Sequence, residues 1–284
     1  MKYGQVWLVG AGPGDAGLLT LKGLDVINKA DVVVYDKLVG HGVMSLIPKT
    51  CELIYVGKSS GNHLVPQEEI NQIILDNALK GKNVVRLKGG DPFLFGRGAE
   101  EIELLYENNV EFEVVPGITS AISAPAYGGI PITHRDFASS VHIITGHFRD
   151  NSNSEIDFKS LVKVKGTLVF LMGISSLNII SSGLINGGMN EDMPCAIIQS
   201  GTTSKQRKVV STIKNIEADA RKKSIKSPGV IVVGEVCTLS EKFSWYENLS
   251  LHGMKILVTR PSELSSRLSS KLYNKGAEVV NMPS

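Results

Sequence analysis

Four glycines surround an Asp-Pro pair in the segment Arg86–Gly98, R-L-K-G-G-D-P-F-L-F-G-R-G, directly after the apolar Val84 and Val85. The pattern reads as a strand ending in a loop whose backbone must come very close to a partner, because glycine lacks a Cβ and accepts positive φ. A tight strand-to-helix turn without a ligand needs one or two glycines, so Gly89, Gly90, Gly96 and Gly98 point to a loop that holds a small molecule. A second cluster, V-W-L-V-G-A-G-P-G-D over Val6–Asp15, also follows an apolar strand and precedes a helix carrying Leu18, Leu19, Leu21, Leu24 and Ile27. The tempting assignment is a dinucleotide fingerprint, with Asp36 closing the second strand as the ribose acid. The spacing argues against it. Asp15 stands where G-x-G-x-x-G needs its third glycine, and Pro13 removes a backbone N–H from the turn that would cradle a pyrophosphate.

Further segments follow in order: D-V-V-V-Y-D, V-G-K, V-P-Q-E-E-I-N, V-V-P-G-I-T-S-A and G-I-P-I-T-H-R-D. Together with the two glycine loops, and over roughly residues 3–248, they resemble the tetrapyrrole methylase family, and within it the uroporphyrinogen-III C-methyltransferases. The T-H-R-D and G-K segments favour that member over its relatives. The resemblance implies two transfers of methyl from S-adenosyl-L-methionine to uroporphyrinogen III, at C2 and C7. The products would be precorrin-2 and S-adenosyl-L-homocysteine, feeding sirohaem and cobalamin synthesis. It also implies a two-lobed α/β fold with the cofactor in the cleft between the lobes, a homodimer, and a small-molecule tetrapyrrole as the partner, with no metal.

Residue by residue, the matched motifs imply cofactor contacts at Pro13, Gly89, Gly90, Asp91, Leu94, Thr119, Ser120, Met172 and Gly201. Ser120 departs mildly, since relatives often carry alanine there, and Met172 alone would read as a core gap-filler. Asp36 and Lys58 match positions with acid–base roles. Their other readings are a capping aspartate and a surface lysine, and Asp36 serves equally as a base or as an acceptor for a pyrrole N–H. A substrate with many carboxylates calls for cations, for which Arg86, Lys88, Arg97, His134 and Arg135 are candidates, though any of them also suits an internal salt bridge.

Short apolar runs at 5–9, 31–35, 52–56, 83–87 and 111–115 read as strands, and 18–29, 67–80 and 97–108 as the helices between them. Such alternation predicts a mostly parallel, covered sheet with its ligand edge at the carboxyl ends of the strands, where both glycine loops and Asp36 fall. Past Gly129-Ile130-Pro131, runs at 140–145, 167–172, 195–199, 208–212 and 229–233 are strand-like and only 175–186 and 213–223 are helical, predicting a second, mixed α/β lobe. Asp150–Ser154 reads as a polar surface loop. The methylase domain is therefore assigned to 1–250, with lobes of about 1–117 and 118–250. Met254 then opens a strand, Leu264, Leu268 and Leu272 share a helical face, and Gly276 precedes another strand. Residues 251–284 resemble the opening β-α-β of a uroporphyrinogen-III synthase. A stretch below about 40 residues cannot bury a core of its own, so it reads as a truncated second domain, or else as an appendage of the first.

The chain's 284 residues can bury a sizeable core, and 42% apolar with 20% charged residues is ordinary for a soluble globular protein. A formal net charge of +2, with basic residues scattered, gives no call for nucleic acid. No apolar run approaches the roughly 18–20 residues of a membrane span, and Met1-Lys2 leads into a strand rather than a signal peptide. Three widely spaced cysteines, Cys51, Cys195 and Cys237, form no metal pattern and imply a reducing, cytoplasmic setting with each thiol as small apolar filler. The competing activities are a sister methyltransferase acting on a later corrin precursor, a nicotinamide oxidoreductase, and a tetrapyrrole carrier without catalysis.

Overall fold

Strand and helix signals resolve, in a computed structural model that describes residues 3–57, 65–147, 156–259 and 262–282, into two compact units. The first comprises the described residues up to Thr119 together with 257–262 and 279–282. The second comprises Ser120–Ile256 and Glu263–Glu278. Lys58 and the expected loop Asp150–Ser154 lie outside the described residues.

The first unit is a five-stranded parallel sheet built from β1 (Val6–Gly10), β2 (Val32–Tyr35), β3 (Glu52–Tyr55), β4 (Val84–Lys88) and β5 (Phe112–Val115), in the order β3-β2-β4-β1-β5. Side chains alternate between faces along a strand. Trp7, Val9, Val33, Val85 and Leu87 therefore meet Val26 and Ile27 of α1 (Leu21–Asn28) and Val43 of α2 (His41–Met44). On the other face Val6, Leu8, Val32, Val34 and Val84 meet Ile70, Ile74, Leu75 and Ala78 of α3 (Gln67–Leu79) and Leu105 of α4 (Gly98–Glu107). The chain leaves β1 in one direction and its neighbour β4 in the other, so the order reverses between these two central strands. Their carboxyl ends form the switch point at which open α/β sheets bind ligands.

Local chemistry decides the boundaries. The span 18–29, expected as one helix, is broken. Asp15 Oδ1 accepts from Gly17 N at 2.8 Å and starts a 3-10 turn over Ala16–Leu18, Leu19 and Thr20 are extended, and Thr20 Oγ1 caps α1 by accepting from Gly23 N at 3.0 Å. Leu21, counted in sequence with the apolar stripe, is exposed as a result. Pro66 precedes α3, where its missing N–H costs nothing, Glu68 and Glu69 lie in the first turn, and Gly81 adopts φ +81° beyond the end.

The second unit carries α5 (Ser120–Tyr127), β6 (Val141–Thr145), α6 (Phe158–Lys163), β7 (Thr167–Leu171), α7 (Leu177–Asn186), β8 (Pro194–Gln199), β9 (Arg207–Thr212), α8 (Ile216–Lys222) and β10 (Gly229–Val233). Its sheet has the order β6-β7-β10-β8-β9. Only β6 and β7 are parallel, so the sheet is mixed as the sequence predicts. One face packs Phe170, Ile197, Val209 and Ile231 against Ile180 and Leu184 of α7 and Ile216 of α8. The helices α2, α5 and α6 have no counterpart in the sequence reading. Helix α5 is apolar and small-sided, with Pro125 inside it and Ala121, Ser123, Ala124 and Pro125 buried, so it shows no polar face and no helical stripe. Beyond them, β11 (Lys255–Val258) and β12 (Glu278–Asn281) pair as a two-stranded sheet joined through α9 (Ser262–Tyr273).

All three cysteines are free and buried. Burial pushes each thiol up in pKa, with Cys237 at about 12 and Glu235 adding to its shift. No helix among the described residues is long and apolar enough to cross a membrane.

Replacing Thr20 by alanine removes the cap that separates α1 from the preceding turn. The expected loss is about 0.5–2 kcal/mol of unfolding free energy, read by urea denaturation, with unchanged far-ultraviolet dichroism.

Candidate functional site

At the switch point the loops after β1, β4 and β5 touch one another. Ala11 N donates to Lys88 O at 2.7 Å, and Gly12 and Gly90 exchange backbone hydrogen bonds of 3.2 and 2.7 Å, extending the strand pairing into the loops. A methyl group on Gly10 would lie 2.5 Å from the Gly117 backbone, and one on Gly117 would lie 2.2 Å from Gly90 O. Gly12 and Gly90 also hold φ of +74° and +67°, which only glycine adopts readily. In the same loop Gly96 and Gly98 lie against Pro92 O, and Gly89 against Leu38. Much of the glycine demand read from the sequence is thus satisfied by packing within and between the loops.

Asp91 ties the arrangement together. Its Oδ1 accepts from Phe93 N (2.8 Å) and Leu94 N (3.1 Å), and its Oδ2 accepts from Gly117 N at 3.0 Å, linking the β4 loop to the β5 loop. The loop then takes on strain. Phe95 and Arg97 sit at φ +54° and +57°, and Phe93 and Phe95 are exposed. A bulky residue held in the left-handed region is a genuine outlier, and such outliers gather at ligand-binding loops. Pro13 and Leu94, both half-buried, lie in these loops.

Beneath the loops lies a buried charge network. Arg86 and Lys88 are in the central strand β4 and are only 3% and 5% exposed, on the face that α4 covers. Glu101 of α4, fully buried, receives Arg86 Nε at 3.0 Å, Lys88 Nζ at 2.7 Å and Gln67 Nε2 at 3.2 Å, all on Oε1. Its Oε2 has no partner among the described residues. Arg86 also donates to the carbonyls of Val34 and Leu87, and its Nη2 reaches Asp36 Oδ2 at 3.3 Å. Burial pushes the Lys88 ammonium below its ordinary pKa and the adjacent Arg86 adds to this, while Glu101 pulls the other way. Asp36 closes β2, is a quarter exposed, and accepts from Leu38 N at 2.9 Å on its other oxygen.

The structure therefore separates the five expected substrate cations. Arg86 and Lys88 serve the internal network. Arg97 is exposed and forms two hydrogen bonds to Glu100. His134 and Arg135 lie in a turn closed by the His134–Ala138 bridge, with the His134 ring against Phe137 and Arg135 exposed. Glu101 and Gln67 were missed in the sequence. No local signal named them: the two cations of V-V-R-L-K require a buried anion only because β4 is central, and strand order is not written in that segment.

Three expected cofactor residues belong to the second unit. Ser120 begins α5, and Met172 follows β7 at φ +57° with half its surface exposed. Gly201 follows β8 and is packed so closely on α5 that a methyl group there would lie 2.5 Å from Ala124 Cβ. Its neighbours Ser200 and Thr202 are both left-handed, at φ +48° and +70°. Thr119 closes the first unit. The other left-handed non-glycine residues, Asn109, Lys165 and Ser224, follow helix ends, where that conformation is ordinary.

A parallel sheet followed by a mixed sheet is the architecture of two-domain tetrapyrrole methyltransferases. It is shared with the crystal structure of cobalt precorrin-4 methyltransferase CbiF (29% identity over 82% of this chain and 95% of that one, TM-score 0.74). It is also shared with uroporphyrin-III C-methyl transferase from Thermus thermophilus, solved with S-adenyl homocysteine (38% identity, 83% and 100%, TM-score 0.70). The family model for Tetrapyrrole (Corrin/Porphyrin) Methylases matches residues 5–217, and the chain belongs to that family. Among curated proteins, "Porphyrin biosynthesis protein HemD" of Ruminiclostridium josui is 58% identical over 283 residues, covering 100% of this chain and 56% of that protein. "Siroheme synthase" of Enterobacter sp. (strain 638) is 53% identical over 245 residues, covering 86% and 53%. The chain spans about half the length of these curated relatives.

Removing the buried anion strands two cations. Glu101→Ala is expected to cost about 3–5 kcal/mol of stability, whereas Glu100→Ala, which breaks the exposed pair with Arg97, should cost less than about 1 kcal/mol. Chemical denaturation of the two variants side by side reads the difference.

Proposed function

We propose that the chain methylates uroporphyrinogen III at C2 and C7 with S-adenosyl-L-methionine, giving precorrin-2 for sirohaem or cobalamin synthesis. The observation that carries this reading is the match to the Thermus thermophilus uroporphyrin-III C-methyl transferase, which covers that whole chain at 38% identity and whose structure holds S-adenyl homocysteine. The cobalt precorrin-4 enzyme matches at 29%, which favours the earlier substrate over a later corrin.

The residues present suit this cofactor in kind. Pro13, Leu94 and Met172 offer apolar surface for the adenine and the methionine chain. Gly89, Gly90, Thr119, Ser120 and Gly201 offer backbone and small side chains, and the Asp91 carboxylate holds its loop in shape. The strained Phe95, Met172, Ser200 and Thr202 support the assignment, because such conformations gather at ligand clamps. When bound, the sulfonium supplies an activated methyl group. The acceptor carbon of a porphyrinogen pyrrole is already electron-rich, so the protein's work is to orient it and keep water out. Orientation of this kind is worth up to roughly 7–11 kcal/mol.

In this reading Asp36 accepts a hydrogen bond from a pyrrole N–H or the proton lost after transfer. Leu38 N and Arg86 keep its carboxylate oriented. Lys58 is assigned the partner acid–base role by the same resemblance. Arg97, His134 and Arg135 are left as the cations accessible to substrate carboxylates. A cytoplasmic homodimer, and a uroporphyrinogen-III synthase-like start at 251–284, belong to the same proposal. The HemD match spans 283 residues, the whole of this chain to within one residue, and so runs through that segment.

Anaerobic incubation of the chain with S-adenosyl-methionine and uroporphyrinogen III, followed by mass spectrometry, is expected to show a dimethylated tetrapyrrole. Asp36→Asn should lower kcat by about 10²-fold or more while cofactor affinity stays within about twofold. Cofactor binding without methyl gain would move the assignment to a later corrin substrate, and absence of cofactor binding would remove it.

A further inference from the structure

The loop that follows β8, Ser200–Gln206, is held in an unfavourable conformation by contacts from several places. Gly201 rests on Ala124, Thr203 Oγ1 donates to Ser200 O at 2.8 Å, and Thr202 N donates to Gln206 Oε1 at 2.8 Å. Gln206 Nε2 in turn donates to Tyr127 O at 3.1 Å and to Glu247 Oε1 at 3.3 Å. The remaining hold comes from 74 positions away. Ser204 donates from Oγ (2.5 Å) and from N (3.3 Å) to Glu278 Oε2, and Glu278 is the first residue of β12.

Both oxygens of Glu278 are engaged. Lys255, the first residue of β11, places its Nζ 2.9 Å from Oε1, and the Glu278 side chain is 22% exposed. Burial pushes this carboxyl up in pKa, but Ser204 and Lys255 outweigh it and hold it below the usual carboxylate range, so it is ionised at neutral pH. The carboxylate is also delivered from a fixed frame. Glu278 N donates to Met254 O at 2.9 Å, Leu251 N donates to Lys275 O at 2.8 Å, and Gly276, at φ +93°, fits against Leu249.

We propose that Glu278 is a positioning residue for cofactor binding: by anchoring Ser204 it holds Ser200, Gly201 and Thr202 in the geometry that receives S-adenosyl-methionine. The C-terminal β-α-β segment thereby belongs to the cofactor-binding apparatus and is more than a neighbouring appendage. The inference rests on the functional reading above, in which Gly201 is a cofactor contact. A carboxylate held on both sides is a stiffer anchor than a loop's own backbone bonds, because hydrogen bonds to ionised groups are the stronger kind.

The test is calorimetric titration of the full chain with S-adenosyl-methionine for the wild type, Ser204→Ala, Glu278→Ala, the double variant and Glu278→Gln. Each alanine variant is expected to bind roughly threefold to tenfold more weakly, the range for losing one ordinary hydrogen bond, since the Glu278 link acts on the ligand only through the loop. The double variant should be no weaker than the weaker single, since both remove one link. Glu278→Gln, which keeps an acceptor for Ser204, should recover part of the loss. In turnover, KM for S-adenosyl-methionine rises while kcat and the tetrapyrrole KM hold, a split that a general loss of stability would not give. Should Glu278→Ala fail to fold, Ser204→Ala alone carries the test, because it deletes a single oxygen. Wild-type binding with both single variants within twofold of it overturns this inference alone, as do losses that simply add in the double variant. A wild-type chain that binds no S-adenosyl-methionine overturns the functional reading as well.

Discussion

Two cations lie in a strand that has no solvent-facing side, and one carboxylate answers both. Arg86 and Lys88 sit in β4 between β1 and β2, and Glu101 on α4 brings Oε1 within 3.0 Å of each. Taking such groups out of water costs several kcal/mol per ion, so the arrangement is a poor device for raising stability and a strong one for fixing geometry. Helix α4 can take only the rotation that aims Glu101 at the strand. That rotation sets where the loop from Gly89 to Arg97 must begin and end. Through Arg86 the same network reaches Asp36, so the ends of β2 and β4 and the start of α4 are located by a single set of charges.

Above that layer the loops are fixed by the opposite means, the absence of side chains. Gly10, Gly90 and Gly117 let three strand-end loops approach until backbone meets backbone, and Asp91 fastens two of them with hydrogen bonds at 2.8 to 3.1 Å. In the first unit strain appears beside these fastenings, at Phe95 and Arg97, and the second unit has its own strained residues at Met172, Ser200 and Thr202. A conformation costing of order 1–3 kcal/mol persists only where its surroundings determine it fully. The tied loops and the Gln206 and Glu278 hydrogen bonds are those surroundings.

The strands were legible because their apolar runs are bounded by glycine, proline or polar residues. Sequence and structure agree to within a residue or two at β1, β4, β8 and β10. Helix α5 was not legible, since a buried helix of small residues with Pro125 inside offers no amphipathic stripe. The break at Leu19-Thr20 was hidden for another reason: two side-chain caps, Asp15 and Thr20, impose it, and the leucine spacing runs straight through them. At the site, the loops and Asp36 could be placed at strand ends from pattern alone. The fate of Arg86 and Lys88 could not, because their burial depends on β4 being central, and strand order is a long-range property. Glu101 was invisible for the same reason, as its partners lie 13 and 15 positions away on another element.

The fastening of the loops after β1, β4 and β5 bears on how quickly a ligand is captured. Gly12, Gly90, Asp91 and Gly117 are bonded to one another across the loops, so none of these segments can fold over a guest independently of its neighbours. Their ordering entropy is lost when the chain folds and is not lost again at encounter. For the cofactor site proposed at this face, association is then governed by diffusion and orientation, and differences in affinity among ligands that share the approach reside in how long each stays.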